Sequence, residues 1–99
     1  MIRIYDRNGK RISMERFSFL LGDLSYKRVG YTELDPGLAV STVWLGIDHN
    51  WSGHGRRLIF ETAVIRSGTF DIRDRYSTLQ EAKAGHAATV NGLRLAALN

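Results

Sequence analysis

The spacing of hydrophobic residues divides this chain into strand-like and helix-like segments. Short stretches in which apolar residues alternate or run together predict strands, and apolar residues three or four positions apart predict helices. Residues 2–5, followed by the turn-forming pair Asn8-Gly9, predict a small hairpin or a strand followed by a turn at the N-terminus. Four further strands are predicted over residues 27–34, 38–48, 58–66 and 69–76, with the turn Asp35-Pro36-Gly37 after the first of them.

Two helices are predicted from the same spacing. Ser13 is expected to cap a short helix that frays or stops at Gly22, with its apolar positions at Met14, Phe17, Leu21 and Leu24. The sequence Thr78-Leu-Gln-Glu81 has the form of a capping box, in which the threonine hydroxyl and the glutamate carboxylate each accept a hydrogen bond from a backbone amide. The pair Asn91-Gly92 is expected to end this second helix early. Its apolar face carries Leu79, Ala82, His86, Val90 and Leu93.

The segment 38–48 is apolar on both of its faces, which is typical of a central strand. Its antiparallel neighbour is expected to be the segment 58–66. The sequence therefore predicts a single α+β domain over residues 1–99, in which an antiparallel sheet carries two helices packed on one face. Helices on one side leave the second apolar face of such a sheet uncovered, so we expect a homodimer that covers it.

Composition narrows the class of protein further. Ninety-nine residues suffice for one hydrophobic core, and the absence of cysteine excludes a disulfide scaffold, a cysteine-ligated zinc site and a thiol nucleophile. The sequence contains no signal-peptide pattern and no apolar run of membrane-spanning length, so we expect a cytoplasmic protein. We also expect it to hold no cofactor. The net charge of +4, with eleven arginines among fourteen basic residues, is compatible with a nucleic-acid partner but is more often typical of a solubilising surface.

The stretch GIDHNWSGHGRR, residues 46–57, concentrates polar and aromatic side chains on a glycine-rich loop between the two central strands. We expect this loop to bind a partner rather than to catalyse a reaction. An alternative is a nucleotide or nucleic-acid binder, in which the tryptophan of the loop stacks on a base and its two arginines pair with phosphate. The residues expected to form the ligand or partner site are Trp44, Asp48, His49, Trp51, Arg56, Arg57 and Glu61.

Two further chemistries use residues of the same region. Asp48, His49 and Glu61 are the candidates for a small hydrolase, although the chain contains neither a nucleophile elbow nor a phosphate-cradling glycine loop. A metal site would draw on Asp48 and the three histidines, His49, His54 and His86. Adjacent residues of a strand point to opposite faces, however, and no HxH or HExxH pattern occurs, so no metal site and no catalytic residue is assigned.

Glu61 and His86 are polar residues at positions that the pattern predicts to be partly buried. In a hairpin that pairs Asp48 with Arg57, Glu61 lies beside Trp44, either as a polar anchor in a pocket or in a salt bridge. The arginines available for that salt bridge are Arg28, Arg73 and Arg75. His86 is expected to have a structural role like Thr78 and Glu81: it faces the sheet as a neutral imidazole bonded to a carboxylate or a backbone carbonyl, with Glu61 the first carboxylate expected.

Five motifs occur in one order along the chain: YDRNGKRIS, YKRVGYTEL, VSTVWLGIDHN, LIFETAV and RYSTLQEAKAGHAATV. Over nearly its whole length the chain resembles a family of small bacteriophage and prophage proteins to which no activity is assigned, and it departs from that family within residues 51–57. The resemblance implies a protein made in the cytoplasm of an infected or lysogenic cell. The leading hypothesis is a non-catalytic, phage-type binding protein that blocks or sequesters a host component, either a host protein or a small ligand.

Overall fold

Four antiparallel strands form the central sheet of the structure, a computed structural model that describes residues 2–98. The elements are α1 (Met14–Leu21), α2 (Leu24–Lys27), β1 (Arg28–Asp35), β2 (Leu38–Trp44), β3 (Phe60–Arg66), β4 (Thr69–Tyr76) and α3 (Leu79–Ala96). Each strand pairs with its neighbour in sequence, so the sheet is a meander in the order β1-β2-β3-β4. The predicted α+β class is confirmed, as is the antiparallel pairing of the two central strands. No helix within residues 2–98 has the length and apolar character needed to cross a membrane.

The N-terminal hairpin is confirmed, and it shortens the central strand. Tyr5 bridges Arg11 across a turn in which an Asp6 carboxylate oxygen accepts the amides of Asn8 and Lys10, both at 2.9 Å. Ile4 of the hairpin bridges Ile47, which therefore does not continue the ladder of β2. Strand β2 ends at residue 44 rather than at the predicted residue 48, because the glycine at position 46 has a φ of +78° and turns the chain toward the hairpin.

The register of the central pair differs by one residue from the predicted one. Trp44 lies opposite Phe60, and Val43 lies opposite Glu61. Because successive side chains of a strand point to opposite faces, this shift places Trp44 and Glu61 on different faces of the sheet. The expectation that Glu61 lies beside Trp44 is therefore wrong.

The first predicted helix is divided in two. Ser13 caps α1 as expected, and its hydroxyl accepts the amide of Arg16 at 3.1 Å. The helix ends at Leu21, and Asp23 then caps the separate one-turn helix α2, which the sequence did not predict. The break changes which residues are buried: Phe17 and Leu20 enter the core, whereas the predicted apolar positions Met14, Leu21 and Leu24 are exposed.

The capping box of α3 is present, with both reciprocal hydrogen bonds formed at 3.1 Å between Thr78 and Glu81. The helix runs on to Ala96, so the expectation that it ends at Asn91-Gly92 is wrong. Val90 and Leu93, which flank that pair, pack with the buried valines of the two central strands. This tertiary contact offsets the low helix propensity of glycine and asparagine.

The core lies on one face of the sheet, where α3 packs against all four strands as predicted. The helix α1 does not lie against the strands and adds Phe17 and Leu20 to the same core. One cluster joins the N-terminal hairpin, both helices and the central strands, and its buried members are Ile4, Tyr5, Phe17, Leu20, Trp44, Ile59, Phe60 and Ala82. A second, smaller cluster joins Val40, Val64 and Val90. The opposite face is uncovered, and Tyr31, Phe70 and Ile72 are 45%, 64% and 44% exposed on it.

Candidate functional site

The loop between β2 and β3 is closed at its base by Asp48. One carboxylate oxygen of Asp48 accepts the backbone amides of Asn50 at 2.8 Å and Leu58 at 2.9 Å. The amide of His49 donates to the carbonyl of Leu58 at 2.8 Å, which adds a backbone bond across the same base. Asp48 thus has the role of an acceptor for the loop's own amides.

Two polar side chains hold the interior of the loop. The Asn50 amide group donates to the carbonyls of His54 at 2.6 Å and Arg56 at 2.7 Å, and its oxygen accepts the amide and the hydroxyl of Ser52. Gly53 and Gly55 supply the φ values of +79° and +81° that this fold of the chain requires. The loop is therefore ordered by its own residues before any partner binds.

The ordered loop presents Trp51 to solvent. The Trp51 side chain is 75% exposed, and its ring lies 5.2 Å from the ring of His49, centroid to centroid. His49 is held by a hydrogen bond of 2.8 Å between its Nδ1 and the carbonyl of Ile47. A cleft of about 400 Å³ opens beside the tryptophan and is lined by Ile2, Arg3, Ile47, Asp48, Asn50, Trp51, Gly53 and Gly55.

Arg56 joins the loop to the start of α3. Its guanidinium makes a bidentate contact with the Glu81 carboxylate, with N–O distances of 2.8 and 3.0 Å. The hydrogen bond from Arg56 holds the pKa of the Glu81 carboxyl below its usual range, and the same pair raises the pKa of Arg56. Because Glu81 also completes the capping box through Thr78, one carboxylate orders both the loop and the helix terminus.

Arg57 is packed against the N-terminal hairpin. Its guanidinium carbon lies 4.6 Å from the centre of the Tyr5 ring, and one terminal nitrogen donates to the carbonyl of Gly9 at 3.1 Å. Gly9 has a φ of +82°, which favours glycine, and a Cβ at that position would displace the end of the Arg57 side chain. The Nε atom of Arg57 is buried and has no hydrogen-bond partner within residues 2–98.

Two residues of the predicted site, Trp44 and Glu61, lie on strands and make their contacts away from the loop. Trp44 is 1% exposed and donates its indole N–H to the carbonyl of Tyr5 at 2.9 Å, so it belongs to the core and not to a ligand pocket. Glu61 lies on the uncovered face and forms an ion pair of 3.0 Å with Arg75, one of the three arginines expected for it. The salt-bridge interpretation of Glu61 is confirmed.

The residues considered for hydrolysis and for metal binding serve separate parts of the molecule. Asp48 closes the loop and Glu61 pairs with Arg75 on the uncovered face. His49 is bonded to a backbone carbonyl, whereas His86 lies between α3 and the sheet. None of these bonds brings an acid, a base and a nucleophile together.

His86 is the centre of a polar network that the sequence analysis did not anticipate. Its Nδ1 lies 2.8 Å from the hydroxyl oxygen of Thr42, and its Nε2 lies 2.9 Å from that of Thr32. Thr42 is bonded in turn to Thr62 at 2.6 Å, and Tyr76 donates to Thr62 at 3.1 Å. The expectation that Glu61 is the partner of His86 is wrong, because Glu61 points to the opposite face of the sheet.

The network accommodates a neutral His86 in either tautomer. Tyr76 donates to Thr62, and either hydroxyl of the Thr42–Thr62 pair can be the donor. With its proton on Nε2, His86 donates to Thr32 and accepts from Thr42; with its proton on Nδ1, it donates to Thr42 and accepts from Thr32. Desolvation by burial lowers the pKa of His86, which favours this neutral form.

Two glycines make room for the network. A Cβ on Gly30 would lie 3.1 Å from the His86 ring, and a Cβ on Gly85 would overlap the Tyr76 ring. The signal in the sequence is the set of threonines at inward positions of three strands, Thr32, Thr42 and Thr62, opposite a helical histidine. Hydroxyl groups facing a core are unusual enough to indicate a buried partner.

Comparison of the chain with protein-family models, with curated proteins and with solved structures finds no match in any of the three.

Proposed function

We propose that this protein is a small, non-catalytic, phage-type binding protein of the host cytoplasm, which blocks or sequesters a host component through the loop 46–57. The observation that carries the proposal is the exposure of Trp51 on a backbone that the loop's own side chains hold in place. A preformed loop loses little conformational entropy on binding, and tryptophan is enriched among the residues that dominate binding energy. The resemblance of the motifs supports the phage origin.

The hydrogen bonds and the ion pair that the polar side chains of the loop already form support binding rather than catalysis. Asp48 and Asn50 are bonded to the loop's own backbone, and Arg56 is paired with Glu81. Groups with these partners hold the surface of the loop in shape. The groups that remain for a partner are the face of Trp51 and the cleft beside it.

The cleft indicates the chemistry of the partner. Ile2, 61% exposed, and Ile47 offer apolar surface beside Trp51, and the exposed Arg3 adds a positive charge at the same place. A host protein that presents an apolar side chain next to a carboxylate fits this combination. The apolar group would pack on the tryptophan, and the carboxylate would pair with the arginine.

A substitution of Trp51 tests the proposal against a matched control. Trp51→Ala removes the exposed ring of the loop, and Phe19→Ala removes a ring that is 70% exposed on α1. We expect capture of the host partner from bacterial lysate to be lost with Trp51→Ala and kept with Phe19→Ala. With the purified partner, Trp51→Ala should weaken binding by about thirtyfold or more, which corresponds to about 2 kcal/mol. Equal capture by both variants would refute a site on the loop.

The proposal includes a homodimer formed through the uncovered face of the sheet. Three rows of side chains cross this face from β1 to β4. At one end the row is Arg28, Val43, Glu61 and Arg75; in the middle it is Tyr31, Ser41, Ala63 and Ile72; at the other end it is Glu33, Ala39, Ile65 and Phe70. The middle of the face is apolar, and its charges lie at the ends.

The positions of these charges favour a face-to-face dimer whose twofold axis lies between the two sheets and runs perpendicular to the strands. This axis places the first row of one copy over the third row of the other. Arg28 of each copy then lies over Glu33 of the other copy. Arg28 is held on this face, with its guanidinium 4.8 Å from the centre of the Tyr31 ring. The two reciprocal Arg28–Glu33 contacts and the apolar residues between them favour this pairing, in which the Glu61–Arg75 ion pair of one copy lies over Ile65 and Phe70 of the other.

A further inference from the structure

The start of α3 lies next to two clefts that a set of arginines surrounds. The first cleft, about 320 Å³, is lined by Arg3, Tyr5, Asp48, Gly55, Arg56, Arg57, Ser77 and Thr78. The second, about 220 Å³, is lined by Arg7, Asn8, Gly9, Arg57, Ser77, Thr78, Leu79 and Gln80. The two clefts adjoin, because Arg57, Ser77 and Thr78 line both of them.

The residues that line these clefts carry more positive than negative charge. Arg3, Arg7 and Arg57 line them together with the carboxylate of Asp48, whereas the guanidinium of Arg56 is already paired with Glu81. One oxygen of Asp48 already accepts two backbone amides. The Nε atoms of Arg7 and Arg57 are buried and have no partner within residues 2–98, although a buried guanidinium nitrogen normally has one.

Uncharged hydrogen-bond donors also line these two clefts. Ser77 is 8% exposed and lines both clefts, and no group within residues 2–98 forms a hydrogen bond with its hydroxyl. The amide of Glu81 is taken by Thr78, but the amides of Leu79 and Gln80, in the first turn of an 18-residue helix, have no intrahelical partner. The positive end of the helix dipole adds to the field of the arginines.

We propose that these clefts bind a phosphate group, either free phosphate or the phosphate of a monoester such as a nucleotide. Arginine side chains, the Ser77 hydroxyl and the amides of Leu79 and Gln80 are more donors than the two oxygens of a carboxylate can use, and they suit the three oxygens of a phosphate monoester. The bound anion neutralises the guanidinium groups whose Nε atoms are left without partners. The phosphate site adjoins the cleft beside Trp51, because Arg3, Asp48 and Gly55 line both, but it does not depend on the proposed contact of Trp51 with a host protein.

Titration of the ¹⁵N-labelled protein at constant ionic strength tests the site, with sodium phosphate, AMP and adenosine as probes. We expect phosphate and AMP to cause saturable amide shifts that are confined to Gly9, Arg57, Ser77, Leu79 and Gln80, and adenosine to cause none. Tighter binding of AMP than of phosphate identifies a nucleotide as the source of the group, and equal binding identifies phosphate alone. The absence of saturable shifts, or equal shifts with adenosine, would overturn the proposal.

Two arginine variants separate a site from general attraction of anions to a basic protein. Arg3 is exposed and lines the first cleft, whereas Arg94 lies in the last turn of α3 at its opposite end. We expect Arg3→Ala to weaken phosphate binding about tenfold and Arg94→Ala to leave it unchanged. Ser77→Ala should also weaken binding while the melting temperature stays the same, because its hydroxyl bonds to no protein group. Equal losses with Arg3→Ala and Arg94→Ala would show that no site exists.

Discussion

At the scale of single residues, His86 shows how a histidine on an apolar helix face is accommodated. Both ring nitrogens are bonded to threonine hydroxyls of the sheet, Thr42 and Thr32. A buried donor or acceptor that loses its partner costs more than the bond itself contributes, so truncation of the ring is expected to be costly. The sequence correctly placed His86 toward the sheet, but it did not identify the partners.

We expect His86→Ala to lower the free energy of unfolding by about 2 to 3 kcal/mol, because it removes two hydrogen bonds and the packing of the ring and leaves the Thr32 hydroxyl without its partner, while Thr42 keeps its bond to Thr62. Urea denaturation at about pH 8 measures this loss. His54→Ala is the control, since His54 is exposed on the loop, and its unfolding midpoint should equal that of the unmodified protein. An unchanged midpoint for His86→Ala would contradict a structural role.

The same network predicts a dependence on pH. Burial lowers the pKa of His86 in the folded state, so the unfolded chain binds more protons near its ordinary pKa of 6.5. The stability that neutral His86 supports is fully present above that value, and it is lost as the pH falls below it toward the lowered pKa. We expect the melting temperature to fall between about pH 7 and about pH 5.5, and to fall less in His86→Ala. Equal slopes in both proteins would contradict the assignment.

At the scale of elements, the start of α3 depends on one capping box that also anchors the loop. The hydroxyl of Thr78 accepts the amide of Glu81, and the Glu81 carboxylate accepts the amide of Thr78 while it pairs with Arg56. Capping bonds satisfy amides that the helix leaves unpaired, whereas an exposed ion pair contributes little to stability. The cap should therefore matter more than the ion pair.

We expect Thr78→Ala to lower the free energy of unfolding by about 1 kcal/mol, and Glu81→Gln to have a smaller effect. Glutamine also suits the third position of a capping box, so Glu81→Gln keeps the cap and removes only the charge that pairs with Arg56. Urea denaturation of the two variants side by side makes the comparison. A larger loss in Glu81→Gln would mean that the ion pair to the loop holds the start of α3.

At the scale of the whole molecule, the core and α3 lie on one face of the sheet, and the other face is left to solvent. Tyr31, Phe70 and Ile72 remain exposed there, next to the half-buried Val43 and Ile65. Exposed apolar patches of this kind mark interaction surfaces. The edges of the sheet are an alternative route of association, but β4 carries charged residues and an irregular register that disfavour pairing at that edge.

We expect sedimentation to show a dimer of the unmodified protein and a monomer of Ile72→Glu. The new carboxylate would lie in the middle row of the face, where a second copy would have to bury it without a partner. Phe19→Glu is the control, because Phe19 is an exposed aromatic on α1 and not on this face. If Phe19→Glu also dissociated the dimer, the interface would lie elsewhere. If the unmodified protein were a monomer in concentrated solution, the dimer would be ruled out.

The sequence correctly predicted the features of the fold that depend on interactions between residues close together in the chain. The turn Asp35-Pro36-Gly37, the cap at Ser13, the capping box and the last strand, Thr69–Tyr76, all lie where the sequence predicts them. Each depends on residues a few positions apart, whose propensities and hydrogen bonds are the same in any fold. The apolar pattern likewise sufficed to pair the two central strands and to direct the apolar face of α3 toward the sheet.

The tertiary structure alone decided the site. The partners of His86 are 44 and 54 residues away in sequence, Arg56 reaches a carboxylate 25 residues away, and Arg57 reaches a carbonyl 48 residues away. The observed register differs by one residue from the predicted one, so Glu61 lies on the face of the sheet opposite to Trp44. When both faces of a strand are apolar, the pattern of apolar residues does not distinguish one register from the next. Contacts between distant segments depend on the whole packed arrangement, and only the folded chain defines it.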